Sequence, residues 1–368
     1  MNSRERVLTA MRRSGLPDRV PFEISWGAFT PSLMEIYRNQ THSPLDPEDY
    51  FDFDTRFVTI NPTSKRTDFI KWFDAKPSED ASWDEWGIGM VRGSLEHFVH
   101  YKYHPLAGCS TAEQVYAFDW PDVDQDYRFE GMAETVNAIH ERGYAVAGEL
   151  YQTIFEIAWL MRGMENLLGD FFFNEEVAHA ICEKLTELRI RQAAKFAEAG
   201  VDIIRLGDDV AAQKGPLMSL DLYRKYLKDR TRRVIDSARR IRPDILMFMH
   251  SDGSVMDFIP EYIDIGIDIL NPVQPECNDL EAIGKQFGGK ISFWGGIGTQ
   301  TTMPYGTEDD VRQAVQTVCR HLGSEGGLLL APSHILEPEV PWGNVVAFVE
   351  GAREARYDSK KFAAPQRM

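Results

Sequence analysis

Paired thiols are missing from this chain. Its four cysteines, Cys109, Cys182, Cys277 and Cys319, stand far apart with no CxxC, so neither a disulfide framework nor a thiolate zinc ribbon is expected. Cys182 and Cys319 fall on apolar positions of helical patterns and read as buried thiols, which fits a reducing, cytoplasmic setting. Long apolar runs are missing too: no stretch approaches the roughly 20 residues of a spanning helix. Residues 1–13 are amphipathic, carrying Glu5 and several arginines where a secretory signal needs an apolar stretch. Basic residues are the minority, 40 Lys and Arg against 57 Asp and Glu in 368 residues, a formal net charge of −17. That balance lacks the cationic footprint of a nucleic-acid binder. No GxGxxG follows the first apolar run, which argues against a dinucleotide-binding sheet. There is no low-complexity segment, and a chain 43% hydrophobic and 26% charged has the composition of an ordinary soluble globular protein.

What is present is a repeated phrase. Short, nearly all-apolar runs at residues 20–25, 145–150, 202–206, 245–250, 267–271, 291–294 and 327–331 end in polar residues, and from residue 145 onward amphipathic helices intervene. Runs of that kind read as parallel strands buried on both faces. One helix spans 175–199, stopped by Gly200; a second opens at Ser219 and stops before Pro243. A third opens at Thr307, with Asp310 completing a capping box, and ends at Gly323. Strand and helix alternating seven or eight times predict an α/β fold, a (β/α)8 TIM-type barrel, as one domain over residues 1–356. Residues 55–105, dense in Trp and turn residues, break the rhythm and predict an antiparallel β excursion over one barrel end. Residues 357–368 read as a flexible tail.

In such a barrel the chemistry sits where strands end. Those positions hold Glu23 and Trp26; Glu149, Tyr151 and Gln152; Asp208, Asp209 and Gln213; His250, Ser251 and Asp252; Asn271 and Gln274; Trp294; and Ser333 and His334. Seven strand ends thus offer polar or titratable groups to one mouth, as an active site would. Trp26, Gln213, Asn271, Gln274, Trp294 and Ser333 are the candidate substrate contacts. Alternation along an extended chain points His250 and Asp252 the same way. Completed by His334, they suit a zinc or iron ion; the alternative is an Asp that only fixes the His tautomer. Asp208 and Asp209 either share the mouth, raising one pKa for proton transfer, or divide so that Asp209 caps a loop and Asp208 faces inward. Glu149, ending an apolar strand, is the better candidate for a tuned carboxylate. Gly295, Gly296 and Gly298 suit a phosphate-binding turn or, more simply, a close approach of chains.

Several segments together resemble the uroporphyrinogen decarboxylase superfamily, which includes porphyrinogen decarboxylases and zinc-dependent methyltransferases that serve corrinoid proteins. They are RERV at 4–7 with PDRVP at 17–21, LMRGMEN at 160–166, GDDVAAQKGPLMS at 207–219, FMHSDGS at 248–254, DILNPVQP at 268–275, FWGGIGTQ at 293–300 and LAPSHILEPEVP at 330–341. The resemblance covers most of the chain. It implies an enzyme, a methyltransferase or a decarboxylase. Under the methyltransferase branch His250 matches a zinc-ligating His, while Asp252 stands where a Cys would and Ser333 or His334 where a later Cys would; a corrinoid protein would be a partner. Under the decarboxylase branch, which needs no cofactor, Asp52 or Asp54 stands for the catalytic Asp, Tyr151 for a substrate-facing Tyr and His334 for a late His. That branch also carries an Arg-rich RQAGR segment for substrate carboxylates, yet the first strand here reads FEISW. A porphyrinogen would then need Arg56, Arg92, Arg162 or Arg205 in its cleft. Three functions follow: a metal-dependent methyl-group transferase or demethylase acting on a small methylated metabolite or a corrinoid protein, with Glu149 or Asp208 handling the proton; a cofactor-free decarboxylase using Asp54, Tyr151 or His334; or a non-catalytic binding protein whose strand-end groups satisfy one another. The resemblance and the Trp-rich excursion together suggest a homodimer.

Overall fold

The computed structural model describes residues 1–24, 29–73, 77–93, 99–150 and 152–357. Strands follow the chain as β1 (Thr55–Val58), β2 (Ser82–Trp83), β3 (Gly89–Arg92), β4 (Val99–Tyr103), β5 (Ala145–Leu150), β6 (Ile203–Gly207), β7 (Ala211–Ala212), β8 (Gly215–Pro216), β9 (Leu246–His250), β10 (Ile269–Asn271), β11 (Ser292–Ile297) and β12 (Leu328–Pro332). Seven of them form one curled parallel sheet in the order β1-β5-β6-β9-β10-β11-β12. The apolar run near the amino end closes the ring. Phe22 makes a parallel bridge to Leu330, Glu23 N–H donates to the Leu330 carbonyl, and Asp54 N–H donates to the Phe22 carbonyl. The expected TIM-type barrel is what forms. Its strands are buried on both faces because helices cover the outside while side chains such as Phe22, Phe248 and Trp294 fill the inside.

The helices sit close to where periodicity put them. The one over Glu175–Ala199 ends at Gly200, whose φ of 91° is the left-handed turn a glycine supplies. Ser219 caps its helix through Leu222 N–H, and the chain then passes through one π turn, Arg224–Lys228, before Asp229–Ile241. The Thr307–Asp310 capping box forms as read. Among the described residues no helix is long and apolar enough to cross a membrane.

Two boundaries differ. Residues 55–58 are not part of the excursion; they are β1, a barrel strand. Its run TRFV was obscured by Arg56, which leaves the sheet to bind the Phe53 and Thr55 carbonyls and Asp49. The excursion proper is the antiparallel sheet β2-β3-β4. Tyr357, expected to open the tail, is buried instead, and its hydroxyl donates to the Leu328 carbonyl; residues 358–368 lie outside the described residues.

The amino ends of the strands form a layer of ion pairs. Helix Ser3–Met11 sends Arg6 to both Asp18 and Asp54, and Arg19 also reaches Asp54. Arg4 and His140 hold Asp202. Asp54, expected as a catalytic acid, therefore sits beneath the barrel: it is fully buried, shared by two guanidiniums and the Phe22 N–H. This end of a barrel serves stability, whereas chemistry belongs to the other.

Candidate metal centre at the barrel mouth

β9 delivers His250 and the extended Ser251–Asp252 that follows, so the two side chains face the same way. His250 Nε2 lies 3.9 Å from Asp252 Oδ1. β6 ends one strand over at Gly207, and the two aspartates after it divide. Asp209 turns inward, its Oδ1 3.8 Å from His250 Nε2 and accepting Asp252 N–H at 2.8 Å. Asp208 turns away to cap helix Phe155–Arg162, accepting N–H from Ile154 and Glu156. Burial pushes the Asp208 carboxyl up to about 6. The division is the reverse of the one expected: Asp208 is a helix cap and Asp209 belongs to the mouth.

One ligand atom each from Asp209, His250 and Asp252 lies within 4.8 Å of the others. The tautomer of His250 gives this trio its meaning. Asn271 Nδ2 donates to the Trp294 carbonyl, which leaves Asn271 Oδ1 to accept from His250 Nδ1 at 2.6 Å. With Nδ1 so engaged, Nε2 is the His250 atom that faces the two carboxylates. Two carboxylates facing one imidazole nitrogen form a cluster that a bound cation would suit, and an imidazole oriented by a second partner is the usual arrangement around a divalent ion. The donor set fits a metal of zinc type, harder than a thiolate set.

Of the other expected groups, Gln213, Gln274, Ser333 and His334 line one cavity with Asp252, about 350 Å³ in volume. His334 stands on its rim and is not one of the three clustered donors. Asn271 and Trp294, expected to touch substrate, are buried beneath the mouth instead. Asn271 orients His250, and the Trp294 indole donates to Glu23 at 2.8 Å, its ring edge-on to Phe248. Glu149 sits inside the barrel, paired with Arg205, whose guanidinium lies between the rings of Phe57 and Phe248. Burial raises Glu149, and Arg205 opposes that rise. Trp26 and Tyr151 lie outside the described residues. Gly295 and Gly296 continue β11, where a Cβ on Gly295 would come within 2.3 Å of the Pro272 carbonyl oxygen; they mark a close approach of chains.

Sequence reasoning missed Glu156 and Cys277. Glu156 opens the helix after β5; burial, with Asp209 and Asp208 beside it, pushes its carboxyl well above the ordinary range. Cys277 follows β10, its thiol donating to Gln213 Oε1 at 2.9 Å, and burial raises its pKa. An acid in the first turn of a helix that follows a barrel strand was a usable signal for Glu156; a lone cysteine carried none.

A sequence model of the family described as uroporphyrinogen decarboxylase (URO-D) matches residues 109–355, well over half of the chain. The chain belongs to the uroporphyrinogen decarboxylase family. Methylcobamide:CoM methyltransferase MtaA of Methanosarcina barkeri is 28% identical over 173 residues, 47% of this chain and 47% of that protein. Uroporphyrinogen decarboxylase of Thermus thermophilus is 26% identical over 212 residues, 57% of this chain and 55% of that one. The chain thus spans about half the length of the curated relatives it matches. A methyltransferase from Methanosarcina mazei has the same fold, with a TM-score of 0.68 at 19% identity over 96% of this chain and 99% of that one. The relatives so matched are methyltransferases and decarboxylases.

Proposed function

We propose that this member of the uroporphyrinogen decarboxylase family is a metal-dependent methyl-group transferase, with zinc the first candidate ion. It would act on a small methylated metabolite or exchange the methyl group with a corrinoid protein. The observation that carries the reading is the convergence of Asp209, His250 and Asp252 around one point, with His250 Nε2 facing the two carboxylates. Those three residues would hold the ion, which when bound supplies Lewis-acid polarisation of a substrate oxygen or sulfur. Asn271 fixes the imidazole tautomer, and the Trp294 carbonyl fixes Asn271. Gln213, Gln274 and Ser333 orient the substrate within the cavity. Glu156, whose pKa is raised by burial and by the neighbouring Asp209 and Asp208, would be the carboxyl that holds a proton.

The decarboxylase alternative needs cations in the cleft. Arg56 serves the strand starts, Arg162 binds Asp170 and the Leu106 and Ala107 carbonyls, and Arg205 is taken by Glu149. None of these, nor Arg92, lines the cavity. The test is metal analysis of protein purified without chelator, with anomalous scattering at the zinc edge. About one equivalent of metal per chain is expected, lost in Asp209→Asn and Asp252→Asn. Full methyl-transfer or decarboxylase activity in metal-free protein would remove the reading.

A further inference from the structure

A second cavity, of about 410 Å³, lies beside the excursion sheet and shares no residue with the one at the mouth. It is formed by the chain after β1, the turn between β2 and β3, and Pro121 with Asp122. Its apolar side is Phe69, Ile70, Trp83 and Pro121. Phe69 stacks on Phe118, and Trp83 packs against Phe73 and Tyr103, so these walls are fixed before a ligand arrives. Ile70 is 55% exposed and has apolar surface still to cover.

The charged part of the lining sorts into pairs and remainders. Arg128 holds Glu85 through both terminal nitrogens and takes Asp122 as well. Lys65 is bound to Asp119 and to the Trp120 carbonyl. Asp68 is exposed and accepts Ile70 N–H, so water screens what charge it has left. Two groups of opposite sign remain. Asp84 is half-buried and held by the backbone N–H groups of Trp86 and Ile88, with no cation paired to it among the described residues. Arg66 is exposed, with neither an ion pair nor a hydrogen bond among the described residues. A purely anionic ligand would meet Asp84, and a purely cationic one would meet Arg66. We infer that this cavity binds a small zwitterion with an apolar body, an α-amino acid with an aliphatic side chain. Its ammonium faces Asp84, its carboxylate faces Arg66, and its side chain covers Phe69, Ile70 and Trp83.

The test compares leucine, leucinamide, N-acetylleucine and glycine, with dissociation constants measured by saturation-transfer NMR on the full chain at neutral pH. Leucinamide keeps the ammonium alone, N-acetylleucine the carboxylate alone, and glycine both charges without the side chain. Leucine should bind about tenfold more tightly than each of the others. Asp84→Asn keeps an acceptor for the Trp86 and Ile88 N–H groups and should weaken leucine about tenfold. Arg66→Gln, at the exposed end, should weaken it about fivefold, and Arg66→Lys, which keeps the charge, should restore most of that loss. Amino acids also chelate metal ions, so His250→Ala serves as the control, and leucine should bind it as tightly as the unaltered chain. Loss of binding in His250→Ala would place the ligand at the mouth and overturn the inference. It is equally overturned by no detectable leucine binding, by any of the other three probes binding as tightly as leucine, or by indifference to Asp84→Asn or Arg66→Gln.

Discussion

Asn271 touches no part of the cavity, yet the tautomer of His250 depends on it. Replacing it with alanine frees the imidazole to rotate or to move its proton to Nε2, and partners of this kind are worth about 10- to 100-fold in metal affinity. Asn271→Ala should therefore bind zinc that much more weakly in a chelator competition while its circular dichroism stays native. His250→Ala should lose metal and activity outright with the fold retained, because the side chain sits at the rim of the barrel. At this scale the sequence was legible where geometry is local. His250 and Asp252 share a face because an extended chain alternates. The split between Asp208 and Asp209 was not legible, since it depends on a helix start some 50 positions earlier offering N–H groups to one of them. Trp294 and Asn271 were misread for a related reason: a residue at a strand end can point into the barrel as easily as out of it.

Elements were the most legible level, because burial on both faces leaves an unmistakable apolar run and helices announce their ends. Thr307 accepts from Asp310 N–H while the Asp310 carboxylate accepts from Thr307 N–H. Thr307→Ala should cost about 1 kcal/mol in urea unfolding, the usual worth of such a cap. β1 escaped notice because Arg56 interrupts it and only four residues are involved. In the excursion, Asp84 accepts N–H from Trp86 and Ile88 in the turn between β2 and β3. Burial pushes its carboxyl up to about 6 from an ordinary 3.8. Folding thus favours the protonated form, so the stabilisation is complete below the ordinary value and fades as pH rises through about 6. Unfolding free energy should fall by about 3 kcal/mol across that window. Asp84→Asn should flatten that part of the pH profile in denaturation measured from pH 4 to 7.

Among the described residues, ion pairs gather at the amino ends of the barrel strands and clustered acceptors at the mouth. Asp54 belongs to the first set, and a buried charge that two arginines share is costly to remove. Asp54→Ala should destabilise the chain by roughly 3–5 kcal/mol, seen as a lowered midpoint in thermal unfolding, while the molecules that remain folded turn over at an undiminished rate. A loss of kcat at unchanged stability would return Asp54 to the catalytic set. The barrel itself was readable because its phrase repeats; the place of Asp209 beside His250 and Asp252 was not, since nothing in their spacing alone brings β6 and β9 side by side.

The bridge between Phe22 and Leu330 also has a bearing on biosynthesis. A ribosome releases Phe22 roughly 300 residues before its partner Leu330, so over that stretch of synthesis the nascent sheet keeps two bare edges. Such edges invite pairing with other chains, and contacts so distant in sequence slow the search for the native state. Refolding from denaturant should accordingly lose yield as protein concentration rises, and a chaperone that shields open edges should recover it.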